Sequence, residues 1–194
     1  MTIEIVSRRG EKRRKVRVAR RSFFREGRRL MNSVEYSIRP AGEEDQLFLW
    51  EMLYHAIYVP DGQAPIPREI VNQPEIAKYV DRWGRGEDHG VVAIENLTLE
   101  PVGAAWLRIF PVEKKGYGHV REGIPELSIA ILPGYRNQGI GSALLRRLIG
   151  DARGRFSAIS LSVSRENPAV RLYERFGFEA VDQSGSSITM LKEL

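Results

Sequence analysis

The sequence predicts an α/β (α+β) domain in which helices flank a mixed, mainly antiparallel central sheet. Three observations support this prediction. Strand-like and helix-like segments alternate from residue 36 onward. An apolar strand leads through a glycine-containing turn into an amphipathic helix over residues 127–149. A helix with well-marked ends over residues 167–176 precedes a hairpin around Gly185.

The first half of the domain combines strands, two helices and a proline-rich loop. Acidic residues at positions 43–45 suit the positive end of a helix over 42–59, whose apolar side chains recur at helical spacing from Trp50 to Ile57. A loop with three prolines and a second short helix over 74–83 follow. Strands are predicted over residues 36–40, 90–95 and 102–110.

The second half starts with an apolar strand over 127–132 and a helix over about 138–149. Apolar residues alternate with serines over 159–164, which is typical of a strand. Asn167 suits the N-cap of the next helix, Pro168 suits its first turn and Gly177 suits its C′ position. Two short strands, over 178–181 and 188–191, complete the sheet as a hairpin.

Charge divides the chain into two regions. Residues 1–30 hold 12 Lys or Arg against 3 Glu, a net charge of +9, whereas residues 31–194 carry a net charge of −4. We therefore predict a basic, disordered or loosely helical leader over 1–30 and a folded domain over 31–194. The leader is interpreted as an extension outside the fold; a cationic arm for nucleic acid or anionic membrane, and an Arg-rich transit peptide, are the alternatives.

The composition excludes several classes of site. The sequence contains no cysteine, which excludes disulfides, thiolate nucleophiles and thiolate metal ligands. No apolar run approaches the ~18–20 residues of a membrane span, and the first residues lack the apolar core of a secretory signal. The three histidines show no metal-ligand spacing. We expect a cytoplasmic protein that needs no metal.

A glycine-containing segment carries the first chemical signal. Residues 127–141 read LSIAILPGYRNQGIG, in which an apolar strand ends at a proline and Gly139 and Gly141 open a helix. Glycines let the backbone approach a bulky anion, and the free N–H groups of a helix N-terminus favour negative charge. Arg136 adds a cationic donor. The segment predicts a diphosphate cradle, although two glycines alone are also compatible with an ordinary turn, and the Rossmann and Walker patterns are absent.

A second motif stands downstream at residues 167–178, which read NPAVRLYERFGF. Together the two blocks resemble the GCN5-related N-acetyltransferases (GNAT superfamily). That family ends a strand with hydrophobic-x-Pro before Gln/Arg-x-x-Gly-x-Gly/Ala, and later carries Asn-x-x-Ala/Val-x-x-Leu/Phe-Tyr-x-x-x-Gly-Phe. The resemblance is specific over residues 126–178, allowing one residue of slack inside each motif. It implies the GNAT fold with splayed fourth and fifth strands, acetyl-CoA as co-substrate, and direct acetyl transfer to a primary amine in a ternary complex.

The resemblance also implies roles for individual residues. Tyr173 corresponds to the tyrosine that protonates the departing thiolate, and Glu126 stands where some members keep a general-base glutamate. The backbone of Ile129, Ala130 and Ile131 is expected to bond the pantetheine arm. The pyrophosphate is expected to bind the loop and first helical turn made by Arg136, Asn137, Gln138, Gly139, Ile140, Gly141 and Ser142. Asn167 resembles the asparagine that contacts the CoA arm.

Each of these residues also has a structural interpretation. Tyr173 lies on an apolar helix face and Asn167 suits an N-cap, while Glu126 could be a charge at a strand end. The ribosomal-protein branch of the family instead keeps a glutamate five residues before the asparagine, where this chain has Ser162; the identity of the base therefore stays open between Glu126 and a water chain. Tyr117 and His119 lie in a glycine-rich loop between strands, where a place at the edge of the acceptor pocket is the alternative to a structural or solvated role.

Two other functions stay open at this stage. One is a module of the same fold that senses acyl-CoA without turnover. The other is a nucleic-acid-associated protein that acts through its basic arm. The expected partner is a small-molecule or peptide amine; no membrane partner is expected, nucleic acid is expected only through the leader, and a homodimer is left open.

Overall fold

The computed structural model of the protein describes residues 34–60 and 62–194. The basic leader over 1–30 and the predicted domain boundary at residue 31 lie outside the described residues. Within the part described, no helix combines the length and the apolar character that a membrane crossing requires.

Seven strands form one sheet in the order β1-β2-β3-β4-β5-β7-β6. Neighbouring strands are antiparallel except β4 and β5, which are parallel. The strands are β1 Tyr36–Pro40, β2 His89–Glu95, β3 Pro101–Arg108, β4 Glu126–Ile131, β5 Ala158–Ser164, β6 Glu179–Ser184 and β7 Ser187–Glu193. The mixed, mainly antiparallel sheet predicted from the sequence is thereby confirmed.

The fourth and fifth strands separate almost as soon as they meet. Their register contains one pair, Glu126 opposite Ser160. The Ser160 N–H also donates to the Pro125 carbonyl oxygen over 3.0 Å. Because the strands are parallel and meet at the start of β4, they diverge toward their carboxyl ends. The splay implied by the family resemblance is present, and it opens a cleft beside β4.

Helices cover both faces of the sheet. The α-helices of the described residues are α1 Gln46–Ala56, α2 Pro74–Ala77, α3 Ile140–Ala152 and α4 Val170–Arg175. One apolar cluster joins α3 to one sheet face, and a second joins α1 to the other. Successive side chains of a strand point to opposite faces, so Val91 lies in the first cluster and Val92 in the second.

Several helices are shorter than the sequence predicts. The predicted helix over 42–59 is a 3-10 turn at Glu43–Asp45 followed by α1, and the backbone is extended at Ile57. The predicted helix over 74–83 is helical only in α2. The predicted helix over 167–176 begins at Val170, because Asn167 Oδ1 accepts a hydrogen bond from the Ala169 N–H over 2.9 Å and holds a turn there.

A buried ion pair anchors the segment between α2 and β2. Arg108, at the end of β3, donates through Nε and Nη2 to the two carboxylate oxygens of Asp88, and both side chains are about 95% buried. Its Nη1 also donates to the carbonyl oxygens of Lys78 and Asp81. Bidentate pairs of this kind fix geometry as well as add energy. Arg108 therefore ties the chain on either side of Tyr79 to the end of β3.

Candidate active site

A cleft of about 610 Å³ opens where β4 and β5 diverge. Its lining comes from α1, the segment around α2 and the start of β4, and from the end of β5, the turn after it and α4. Beyond Glu126, no strand among residues 34–60 and 62–194 pairs with the edge of β4 that faces β5. Backbone groups along such an edge can accept an extended ligand as if it were another strand.

Glu126 is buried in this cleft at the point where the two strands separate. Its Oε2 accepts a hydrogen bond from the Tyr79 hydroxyl over 2.9 Å and another from the Gly118 N–H over 2.8 Å. Its Oε1 is buried and has no hydrogen-bond partner among the described residues. One carboxylate oxygen is thus held by two hydrogen bonds, and the other is buried without one.

The segment 116–118 reaches Glu126 because two of its residues are glycine. A β-carbon at Gly116 would lie 2.2 Å from Glu126 Oε1, and one at Gly118 would lie 2.5 Å from the backbone carbonyl carbon of Leu161. Neither position tolerates a side chain without movement. The close approach lets a backbone N–H donate to a carboxylate that is otherwise surrounded by protein.

Burial raises the pKa of Glu126 above its ordinary value. The hydrogen bonds from Gly118 and Tyr79 act in the opposite direction because they favour the ionised form, and the charges of His119 and Lys78 do the same. A carboxylate with a raised pKa is a stronger base than an exposed one. The pattern is typical of a functional carboxylate, although buried structural groups also show it.

Tyr173 lies in α4. Its ring is 8% exposed, meets the Phe178 ring edge-on with centroids 5.9 Å apart, and belongs to the core cluster of α3. It also lines the cleft. Burial raises the pKa of Tyr173 to about 12, so its hydroxyl keeps its proton at neutral pH. The residue serves the core and the cleft at once.

Asn167 lies in the turn between β5 and α4 and also lines the cleft. Its Oδ1 is committed to the Ala169 N–H, which leaves the side-chain amide as the group that can meet a ligand. The capping role predicted for Asn167 is therefore a turn role, three residues ahead of the helix. A part in ligand binding stays a prediction.

The predicted anion cradle is a tight loop before α3. Asn137 and Gly139 have φ values of 62° and 83°, and the helix begins directly afterwards at Ile140. Arg136 lies at the loop, where its Nε donates to the Ile131 carbonyl oxygen over 3.1 Å. The first N–H groups of a helix have no partner within it and attract anions. Two residues with left-handed backbone conformation thus place the loop at the amino end of a 13-residue helix.

The space around Gly141, in the first turn of α3, bears on whether the loop fits a bulky anion. A β-carbon there would lie 3.2 Å from Ile131 Cδ1 and 3.6 Å from Leu172 Cδ2. The first turn of α3 is therefore pressed against the end of β4 and against α4, next to Tyr173. A side chain in this space would push the amides of the turn away from β4. The glycine and the left-handed loop fit an anion site that continues from the β4 edge.

The cleft brings together four of the predicted site residues, Glu126, Ile129, Asn167 and Tyr173. Ala130, Ile131 and the loop of Arg136–Ser142 do not line it; they lie at the end of β4 and the start of α3. Tyr117 lines the cleft, as expected for a residue at an acceptor pocket, whereas His119 does not. Among the described residues, no group of three or more His, Cys, Asp or Glu could hold a metal ion.

Sequence reasoning missed Tyr79, whose hydroxyl contacts Glu126. No sequence pattern marks it, because the two residues are 47 positions apart and come into contact only in the folded chain. The glycines of Gly116-Tyr117-Gly118 were a usable signal, since paired glycines in a loop often mark a close backbone approach.

Comparison with known proteins identifies relatives of this architecture. The model of the acetyltransferase (GNAT) family matches residues 47–178, more than half of the chain. A comparison with curated proteins gives no significant match.

Several solved structures share the fold. The PaiA N-acetyltransferase from Thermoplasma acidophilum, in complex with coenzyme A, superimposes with a TM-score of 0.61 at 21% identity, over 82% of this chain and 99% of that one. A ribosomal-protein-alanine N-acetyltransferase from Brucella melitensis gives 0.58 at 22% identity, over 81% and 99%. A phosphinothricin acetyltransferase from Sinorhizobium meliloti, in complex with acetyl-CoA, gives 0.58 at 20% identity, over 82% and 88%. At these identities the likeness establishes the fold alone.

Proposed function

The chain belongs to the acetyltransferase (GNAT) family, and from this premise we propose that it transfers the acetyl group of acetyl-CoA directly to a primary amine. The observation that supports the proposal most is that Glu126 and Tyr173 line one cleft. A base and a proton donor placed this way suit a reaction in which one partner loses a proton and the other gains one.

The acceptor's proton is the first chemical problem. An amine with a pKa of about 10.4 is only about 0.04% neutral at pH 7, and only the neutral form attacks a thioester. In the proposal, Glu126 Oε1 takes this proton directly or through one water. The raised pKa of Glu126 suits the role, because a base works best when its pKa approaches the working pH.

The leaving group is the second problem. A thiol has a pKa of about 8.5, so a thiolate leaves readily. Full proton transfer to it from a tyrosine with a pKa of about 12 is uphill, which makes hydrogen-bond donation the main contribution of Tyr173. Tyr173 is therefore proposed as an assistant to thiolate departure rather than an indispensable acid.

The remaining predicted residues are proposed to hold acetyl-CoA, which supplies the thioester. The edge of β4 at residues 129–131 would bond the pantetheine amides, and Asn167, in the turn after β5, would contact the arm. The loop at Arg136–Ser142 would hold the pyrophosphate through the amides of the first turn of α3.

Acetyl-CoA is expected to stabilise the protein and to release thiol only when an amine is present. Ligand at one hundred times its Kd adds about 2.7 kcal/mol to the free energy of unfolding. Thermal melts with and without acetyl-CoA, followed by a thiol-release screen over polyamines, amino acids, antibiotics and peptide N-termini, measure both effects. Failure of millimolar acetyl-CoA to raise the melting temperature would contradict the proposal. Stabilisation without thiol release from any amine would favour the sensing module instead.

Replacing Tyr173 by Phe is expected to lower kcat about 10- to 1000-fold, at the low end of general-acid effects because the thiolate needs little help. The ring and its contact with Phe178 are retained, so the melting temperature and the affinity for acetyl-CoA are expected to change little. Measurement of kcat and melting temperature on the same variant checks this. Wild-type kcat in the folded variant would assign Tyr173 to the core alone.

A further inference from the structure

We infer that Tyr79 is a positioning residue that locks the carboxylate of Glu126 in one orientation, with Oε1 left to accept the proton of the acceptor. The catalytic role of this orientation rests on the proposed function. The hydrogen bond by which the Tyr79 hydroxyl orients the carboxylate does not depend on that proposal.

The two oxygens of Glu126 have different surroundings. Oε2 receives both hydrogen bonds, from Tyr79 and from Gly118, whereas Oε1 receives none within the described part of the chain. A carboxylate held by two donors on one oxygen cannot rotate without losing both bonds. The bonds to a charged group are among the stronger ones in proteins, so this orientation is well defined.

The hydroxyl of Tyr79 donates but does not relay. It gives its own hydrogen to Glu126 and receives a hydrogen bond from the Tyr117 N–H over 2.7 Å. An amide N–H cannot take a proton, so the chain of hydrogen bonds ends there. Burial and the nearby carboxylate also raise the pKa of Tyr79 far above its usual range. The Tyr79 side of Glu126 therefore offers no exit for a proton.

Rigid neighbours hold Tyr79 in place. Its carbonyl oxygen accepts a hydrogen bond from Trp106 Nε1 over 3.0 Å. Its ring meets Phe110 edge-on at 4.8 Å and stacks on Tyr117 at 6.3 Å. The backbone on either side is tied to Arg108 of β3. A side chain fixed at both backbone and ring can orient a partner without an entropic cost at each turnover.

Several other groups act on the protonation of Glu126. The positive charges of Lys78 and His119 favour the ionised form. Arg108 stands opposite Glu126 in the β3–β4 register, but its guanidinium is paired with Asp88. Tyr173 lines the same cleft and stays neutral. Removing the Tyr79 hydroxyl leaves these side chains in place and also frees the Tyr117 N–H, next to the other donor Gly118, so a change in the titration of Glu126 reports the hydroxyl together with the contact it makes to this loop.

The test is a ¹³C NMR titration of the Glu126 side-chain carboxyl in protein labelled at glutamate, with the resonance assigned by Glu126→Gln. In Tyr79→Phe the pKa of Glu126 is expected to rise, because a donor to its ionised form is lost. Uniform replacement of tyrosine by 3-fluorotyrosine strengthens the donor and is expected to lower the same pKa. The matched control is Tyr54→Phe, which deletes a hydroxyl that donates to the Ile66 carbonyl oxygen, away from Glu126; its titration is expected to match the wild type.

Kinetics supply a second readout. With any amine that the wild type acetylates, Tyr79→Phe is expected to lower kcat about tenfold at pH 7, the equivalent of one charged hydrogen bond. It is also expected to move the acid limb of the pH profile of kcat/KM to higher pH. Tyr54→Phe is expected to leave that limb in place.

The outcomes separate this inference from the proposed function. An unchanged Glu126 titration in Tyr79→Phe and in the fluorotyrosine protein would overturn the positioning role, whatever the activity. A shifted titration with an unshifted pH profile would retain the contact but overturn its meaning for catalysis. If the wild type acetylates no amine, the proposed function fails, and with it the catalytic part of the inference.

Discussion

Glu126→Gln is expected to lower kcat about 10²- to 10⁴-fold, the usual range for removing a general base, while leaving the protein at least as stable as the wild type. Gln keeps the size of Glu and offers a carbonyl oxygen to the two donors that now hold Oε2. What disappears is the ability of the other atom to accept a proton. Loss of activity and retained stability in one variant distinguish a base from a structural charge.

The stability of Glu126→Gln is expected to depend on pH in a definite direction. Burial raises the pKa of Glu126 in the folded protein above its ordinary value of 4.5. The stability that a carboxyl with a raised pKa contributes is fully present below the unfolded value and is lost as pH rises through the folded value. The variant has no such loss. Its melting temperature relative to the wild type is therefore expected to increase from pH 4.5 upward.

The control is Glu122→Gln, which removes an exposed carboxylate four positions away. Melting curves from pH 4 to pH 8 and kcat on one acceptor are expected to match the wild type for this control. Wild-type kcat in Glu126→Gln would move the base role to a water chain. A melting temperature that falls with rising pH relative to the wild type would show that the hydrogen bonds outweigh burial.

Gly141→Val is expected to lower the affinity for acetyl-CoA about 10- to 100-fold while the fold survives. The new β-carbon would lie 3.2 Å from Ile131 Cδ1, and the two further carbons of valine add to the crowding. Overpacking of this kind costs about 1–3 kcal/mol, and the atom encountered is the end of a flexible side chain. We expect the first turn of α3 to shift away from β4, which displaces the amides proposed to bind the pyrophosphate.

Gly150→Val provides a matched control for Gly141→Val. Gly150 lies in the same helix, and a β-carbon there meets nothing within 4 Å. Both variants carry the same cost of a β-branched residue in a helix, but only one crowds the proposed cradle. Calorimetric titration with acetyl-CoA compares them. Equal affinity in two folded variants would mean that the anion binds elsewhere.

Much of the fold could be predicted because local patterns decide it. The strand β1 has the predicted bounds, and the observed bounds of β2, β3, β4 and β5 agree with the predicted ones within two residues at each end. Helix ends were less accurate, since single side-chain contacts decide them. Gly139, with its left-handed backbone, delays the start of α3 to Ile140, and the Asn167 turn delays α4 to Val170.

The candidate site could be predicted only where a motif carried it. The motif residues Asn167 and Tyr173 lie in the cleft because they follow one strand and its turn, which local sequence specifies. The contact between Tyr79 and Glu126 could not be predicted, because it depends on how a buried ion pair at Arg108 places the chain after α2. Such a contact is a property of tertiary packing, and no spacing in the sequence encodes it.

The strands β4 and β5 are joined by a single register pair, fewer than any other two neighbouring strands of the sheet. Strands β1 to β4 pair with sequence neighbours and pack against α3, while β5, β7 and β6 form a second antiparallel group. Proteins open along boundaries where few backbone bonds cross, so partial unfolding is expected to begin at this seam. Glu126 begins β4 on one side of this junction, and Tyr173 lies in α4, which follows β5 on the other side. A ligand bound in the cleft is therefore expected to stabilise the junction between β4 and β5, where the sheet has its fewest backbone pairs.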